Sequence, residues 1–366
     1  MSPLIYTLIA LTALYVLTLL GLTRGISLGQ RRFKEDHDSD CTVSIVICAH
    51  NEAQKLPICL DAISRQSYDP AQIQTVVVDD RSTDKTREVA MGFKDKISNL
   101  TLRSVEETRL SCPKKNALQT GLEAATGDLI LLTDADCQPG IDWVSSTVGS
   151  FQPETGMVIG RAPLSDPGHR WAPLLVFQSL LVNAIALGSA GIGIPLTCSG
   201  RNLAYRREAF NDVGGYGPVG HILGGDDVLL MRAISAFGWP VVYNHDSRGS
   251  VSSPAHTDRQ WKRQIRYQSK ARHFGWGILS LAILVYILHV LLFAGPILAW
   301  VLPETLPILL TALTAKVIVD GVFLWQAARS LGQSQMLRWF PVVEIVAIPY
   351  VAIVCALGTV RPSSWT

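Results

Sequence analysis

The chain has 366 residues, a formal net charge of only +2, and 48% hydrophobic residues; its mean hydropathy is +0.26. A nearly neutral chain with no interleaved aromatic and basic pattern is not built for nucleic acid. Seven scattered cysteines without a C-x-x-C pair indicate neither a zinc site nor a disulfide framework, and fit a reducing compartment.

Leu4 to Leu22 carries no charge. A helix needs about 20 apolar residues to cross a bilayer, so residues 1–23 read as a membrane helix. No Lys or Arg precedes it, and it is longer than a usual signal core, which favours an anchor over a cleaved signal peptide. A basic linker over 24–42 follows, with Arg24, Arg31, Arg32 and Lys34.

The next stretch, 43–272, reads as a domain of alternating strands and helices. Val43-Ser-Ile-Val-Ile-Cys-Ala49 is a β-branched run broken by His50-Asn51-Glu52. Thr75-Val-Val-Val-Asp79-Asp80 is a second strand, and Arg81-Ser82-Thr83-Asp84 follows as a turn with Asp84 as a helix cap. Lys114-Lys115-Asn116-Ala117-Leu118 opens a helix running towards Thr126-Gly127, and Leu129-Ile-Leu-Leu-Thr133 is a third strand ending in Asp134-Ala135-Asp136. Strand, helix, strand, helix, strand implies a parallel α/β sheet with right-handed crossovers. Three strands then deliver polar, acidic clusters to one sheet edge, where open α/β sheets bind ligands. Two close carboxylates repel unless a cation sits between them, and a hard divalent ion with oxygen ligands suits. The expected picture is a metal on Asp134 and Asp136, clamped onto a diphosphate.

Further along, Trp171 to Ala190 is long and apolar. It reads either as a helix buried under the site or as one lying in the membrane interface at 171–190 beside the acceptor entrance. Ser199-Gly200-Arg201-Asn202 follows it. Gly224-Gly225-Asp226-Asp227-Val228-Leu229-Leu230 opens a helix whose acids sit at its positive end. They serve as a cap or as a general base taking a proton from an incoming hydroxyl; adjacent side chains diverge, and Asp227 is assigned the chemistry. Arg263-Gln264-Ile265-Arg266-Tyr267 reads equally as a basic membrane flank or as a phosphate site.

The remainder, 273–366, holds about three spans: Gly277 to Leu302, Leu306 to Trp325 and Phe340 to Leu357. Lys316, Asp320 and Glu344 lie within them, and intramembrane charges often mark function, although Lys316 and Asp320, four apart, can simply pair. Bases flank the large domain (Lys262, Arg263, Arg266, Lys270 and Arg272 before the second span, Arg329 and Arg338 before the fourth), whereas the Pro303-Glu304 turn has none. The positive-inside rule places the large domain in the cytoplasm and that turn outside, and basic residues at the membrane face suit anionic headgroups.

These motifs, in this order, resemble those of membrane-bound family 2 glycosyltransferases of GT-A (Rossmann-like) fold. The resemblance covers about Val43 to Tyr267. It rests on the Asn51-Glu52 turn, Asp79-Asp80-Arg81-Ser82, the Lys114 to Leu118 helix start, Asp134 to Asp136, Asp226 to Leu230, and Arg263 to Tyr267. In the last, Tyr267 stands where the family usually has Trp, which keeps the aromatic platform and loses the indole donor.

The resemblance implies an α/β nucleotide-sugar-binding domain with Asn51, Glu52 and Asp80 around the nucleoside and Lys114 near the phosphates. Asp134 would touch the donor ribose or sugar, and Asp136 would hold Mg²⁺ or Mn²⁺. Asp227, beside Asp226, would be the base, with Arg263, Arg266 and Tyr267 closing over the diphosphate. Gly200, Arg201 and Asn202 resemble a small-residue strand lining the acceptor site. The expected activity is inverting, metal-dependent sugar transfer from a nucleotide-diphosphate sugar, a UDP-sugar first, to a hydroxyl of a membrane lipid. The layout is similar to ceramide glucosyltransferases, with an integral membrane protein of a bacterial inner membrane and a cytoplasmic catalytic domain as the expected setting. A processive synthase of the chitin or hyaluronan type is the alternative, and a non-catalytic nucleotide-sugar-binding membrane protein is a third reading.

Overall fold

The computed structural model describes residues 3–32, 41–107, 109–166, 168, 170, 172–255 and 276–360. They fall into two units: residues 25–167 with 178–255, and residues 1–24, 168–177 and 256–366. Arg263, Arg266 and Tyr267, with Lys34, Trp171, Lys262, Lys270 and Arg272, lie outside the described residues.

The larger unit is built on a seven-stranded sheet of order β3-β2-β1-β4-β8-β6-β9. Its strands are β1 (Val43–Ala49), β2 (Ile73–Asp79), β3 (Leu100–Ser104), β4 (Leu129–Asp134), β6 (Met157–Ile159), β8 (Leu203–Arg206) and β9 (Val241–Tyr243). A smaller sheet of order β5-β10-β7 joins β5 (Gln138–Pro139), β7 (Leu164–Ser165) and β10 (Val251–Pro254). The helices of this unit are α2 (Leu56–Ser64), α3 (Thr86–Met91), α4 (Pro113–Ala124), α5 (Trp143–Val148), α7 (Arg207–Asp212) and α8 (Val228–Phe237). β1, β2 and β4 are near-continuous apolar runs and buried along their length, as central parallel strands covered on both faces require.

Register decides what the sheet edge presents. Ala49 pairs with Asp79 and Cys48 with Asp134, so the loops after β1, β2 and β4 leave at one level. The sheet departs from the all-parallel expectation beyond β4. There β8 runs antiparallel to both β4 and β6, and β6 pairs parallel with β9.

Among the described residues, five helices are long and apolar enough to cross a membrane: Pro3–Arg31, Ala172–Gly191, Trp276–Phe293, Pro303–Ser330 and Ser334–Ile353. The first belongs to α1 (Pro3–Arg32), which continues as helix through Arg24 and Arg31 where the sequence suggested a linker. The second is α6 (Ala172–Gly191), two-thirds of it buried within the protein. Its Asn183 accepts from the Ala162 amide at 3.1 Å and donates back to the Ser179 carbonyl at 2.8 Å, fixing the helix to the chain leaving β6. The stretch expected as one span from Gly277 to Leu302 is two helices, α9 (Trp276–Phe293) and α10 (Gly295–Val301), with Pro296 at the start of the second. Two further helices follow, α11 (Leu306–Ser330) and α12 (Phe340–Val360).

In the smaller unit the charges of the long apolar helices find partners. The Lys316 ammonium donates to Asp320 at 2.7 Å along α11 and to Glu344 of α12, while the Tyr15 hydroxyl donates to Asp320 at 2.6 Å. Lys316 is buried, and an isolated ammonium there would be costly. The pairing thus ties α1, α11 and α12 together, the structural outcome left open by the i,i+4 spacing.

Candidate active site

The loops after β1 and β2 are laced to each other. Asn51 and Arg81 both take left-handed backbone, with φ of 57° and 58°. The Asn51 side-chain oxygen accepts from the Thr83 amide at 2.8 Å, and its own amide donates to the Ser82 hydroxyl at 3.0 Å. The Glu52 amide donates to the Thr86 hydroxyl at 2.8 Å, and the Ala53 amide to Asp84 at 3.1 Å. Hydrogen bonds from Thr86 first, then from the Ala53 amide, hold the Asp84 carboxyl below the usual range. Asp84 is therefore a loop tie, as its capping position suggested, and Asn51 shapes the loop with its side chain. Glu52 and Asp80 stand on this frame; Glu52 is 3.3 Å from Lys55, and Asp80 accepts from Arg81 at 3.0 Å.

The chemistry-bearing groups converge at the ends of β4, α4 and α8. Lys114, in the first turn of α4, donates to Asp134 at 3.0 Å and reaches Asp226 at 3.1 Å. Burial works against its charge, but Asp134, Asp226 and Asp227 outweigh that and hold its pKa well above the ordinary lysine range. The three carboxylates thus favour the charged ammonium. Lys115, one residue on and turned about 100° around the helix, donates instead to the Val219 and Ile222 carbonyls at 2.6 and 3.0 Å. It anchors the loop leading to Gly224 and Gly225, both in left-handed backbone at φ 72° and 69°. Sequence reasoning missed this role and that of Asn116, whose oxygen takes the Arg109 and Leu110 amides at 2.9 and 3.2 Å. The consecutive Lys-Lys-Asn was the available signal, since a helix sends successive side chains in different directions.

Asp227 is the N-cap of α8. One carboxylate oxygen takes the Val228 amide at 2.8 Å and the other the Gly200 amide at 3.1 Å. A Cβ on Gly200 would stand 3.4 Å from Asp226, 3.6 Å from the Lys114 ammonium and 3.7 Å from Asp227 Cβ, so Gly200 lies directly over this cluster. Ser199 to Asn202 forms a turn, closed by the Asn202 amide on the Ser199 carbonyl at 3.1 Å; the strand expected there begins at Leu203. Arg201 reaches the Ala162 carbonyl at 2.7 Å and the Ser253 hydroxyl at 2.6 Å. Asn202 is buried and spent on structure. It donates to the Arg161 and Gly249 carbonyls at 2.8 Å each and accepts from the Trp143 indole at 2.9 Å. Each buried group orphaned by its loss would cost about 1–3 kcal/mol.

Asp134, Asp136 and Cys137 bring one donor atom each within 4.8 Å of one another. Burial, with the Asp134 and Asp136 charges, pushes the Cys137 thiol up to about 12. The two carboxylates fit a hard cation such as Mg²⁺ or Mn²⁺, which prefers oxygen ligands.

A mixed α/β sheet whose strand ends present these groups, in a chain with long apolar helices in its N- and C-terminal regions, is a GT-A-like architecture. Residues 44–214 match the family described as glycosyl transferase family 2. The glycosyltransferase AglE of Haloferax volcanii is 27% identical over 209 residues, which is 57% of this chain and 66% of that protein. A dolichyl-phosphate beta-glucosyltransferase of Trichomonas vaginalis is 30% identical over 178 residues, 46% of this chain and 54% of it. The chain thus spans between half and two-thirds of these two relatives. The mannosyltransferase PcManGT from Pyrobaculum calidifontis, solved with GDP-Man and Mn²⁺, superposes with a TM-score of 0.64. That match covers 97% of this chain and 98% of that one at 23% identity.

Proposed function

We propose that the chain transfers a sugar, with inversion and with divalent-metal dependence, from a nucleotide-diphosphate sugar to a hydroxyl of a membrane lipid. The observation that carries this reading is the cluster of Lys114, Asp134, Asp226, Gly200 and Asp227 at one sheet edge. Lys114 holds positive charge for the departing diphosphate, and Asp136 with Asp134 would hold the cation that shares that work. Asp227 takes the acceptor proton across from the leaving group, so attack is in line and the anomeric centre inverts. Glu52 and Asp80, on the laced loops, hold the nucleoside. Relatives named for dolichyl phosphate, together with five apolar helices, favour a lipid acceptor.

The test is turnover of the purified protein with a panel of nucleotide sugars and a total lipid extract, read by mass spectrometry. The expected product partitions into organic solvent, carries one sugar and forms only with lipid present. A water-soluble ladder of oligosaccharides made in lipid-free detergent would replace this reading with a polysaccharide synthase. No donor turnover under any condition would replace it with a nucleotide-sugar sensor.

The same reading orients the protein. Charge asymmetry puts the catalytic unit on the cytoplasmic side and Glu304 outside. Both Glu304 and Ser98 are exposed. A cysteine at Glu304, with native cysteines replaced, should react with an impermeant maleimide in intact cells, and one at Ser98 only after lysis. Labelling at Ser98 in intact cells would reverse the orientation and remove access to cytoplasmic sugar nucleotides.

A further inference from the structure

The ends of α1 and α6 meet backbone to backbone. A Cβ on Gly25 would lie 2.0 Å from the Gly188 carbonyl oxygen, and one on Gly191 would lie 1.9 Å from the Gly25 carbonyl oxygen. Only glycine permits that approach. One turn on, a Cβ on Gly29 would press on the His245 ring at 2.7 Å. Burial lowers the His245 pKa to about 4, so the ring is neutral at physiological pH and brings no charge to this contact.

This contact sets a depth. From Pro3 to Thr23 α1 carries no charge, and Arg24 is its first charged residue. At 1.5 Å per residue that uncharged length is about 30 Å, the thickness of the hydrocarbon layer. Gly25 therefore marks the level where hydrocarbon gives way to headgroups. The Ile192 side chain stands at that level, its Cγ2 3.0 Å from the Gly25 Cβ position. The chain leaves α6 as Ile192-Gly193-Ile194-Pro195, turning at Gly193 with φ of +77°. Ile192 is 36% and Ile194 57% exposed. Two exposed isoleucines in water would carry no message. At the depth of a hydrocarbon boundary they have a solvent. The segment is also held to the site, because Gly200, a few residues on, binds Asp227.

We propose that Ile192 and Ile194 insert into the hydrocarbon boundary of the bilayer, making residues 192–195 the point at which the catalytic unit touches membrane lipid. The inference rests on α1 being a membrane span.

The test uses bimane attached to Ile192→Cys or Ile194→Cys, with the full chain in phosphatidylcholine nanodiscs containing doxyl-labelled acyl chains. The unsubstituted protein, labelled in parallel, gives the background from native thiols. Ile58→Cys on α2, at an exposed position of the same unit, reports water, and Leu17→Cys, exposed within α1, reports hydrocarbon. Emission from positions 192 and 194 should shift to the blue, with quenching by doxyl lipid at least ~3-fold above that at position 58, as expected of side chains at the headgroup and acyl boundary. Quenching at position 17 but not at 192 or 194 overturns the proposal and leaves the span intact. No quenching at position 17 overturns the span and the proposal together.

Discussion

Asp227→Asn should slow sugar transfer at least ~100-fold while nucleotide-sugar affinity stays within ~3-fold of the parent protein, the pattern expected when a general base is removed and binding is not. Asp226 and Asp227 are adjacent, but the structure commits them differently. Asp226 is paired with Lys114, so its loss disturbs the ammonium proposed to meet the diphosphate. Asp227 faces the Gly200 turn and caps α8. Asn is a good N-cap and keeps one of the two backbone contacts, so the helix start survives at a cost of about 1 kcal/mol. Asp226→Asn should therefore weaken donor binding and slow turnover less. The reverse order moves the base to Asp226. Near-normal transfer in both variants would mean an acceptor oxygen already ionised, such as a lipid phosphate, which needs no base.

The central strands and their acidic ends were legible because three central runs rich in apolar residues each stop at a polar break, and parallel register then places the breaks side by side. β6, β8 and β9 were not legible. They are three or four residues long, and their burial comes from neighbours distant in sequence, so no local period announces them. The same holds at the site. Lys114, Asp134, Asp226 and Asp227 belong to motifs with local spacing, whereas the Lys114 bridge from Asp134 to Asp226 joins three elements and exists only once the sheet closes. Asn202, expected in a small-residue strand by resemblance, stands in a turn, where tertiary burial makes it a tie between Trp143 and two carbonyls that no local spacing announces. α6 read equally well as a core helix or an interface helix because apolar composition serves both. The Asn183 contacts and its burial within the protein decide for packing along most of its length.

Asp136→Asn should abolish the dependence of nucleotide binding on metal. Asp136 brings a carboxylate oxygen within 4.8 Å of the Asp134 carboxylate, close enough for one cation to sit on both. An amide oxygen at the same position can still point at an ion, but without its charge it competes poorly with water for a hard cation. Calorimetric titration of nucleoside diphosphate into the parent protein should give affinity that rises at least ~10-fold with Mn²⁺, because the ion cancels diphosphate charge. In the variant that gain should fall below ~2-fold, while affinity without metal, carried by Lys114 and the nucleoside loops, remains. An unchanged gain in Asp136→Asn would move the cation away from this pair. Loss of binding both with and without Mn²⁺ would mean that Asp136 holds the loop rather than the ion.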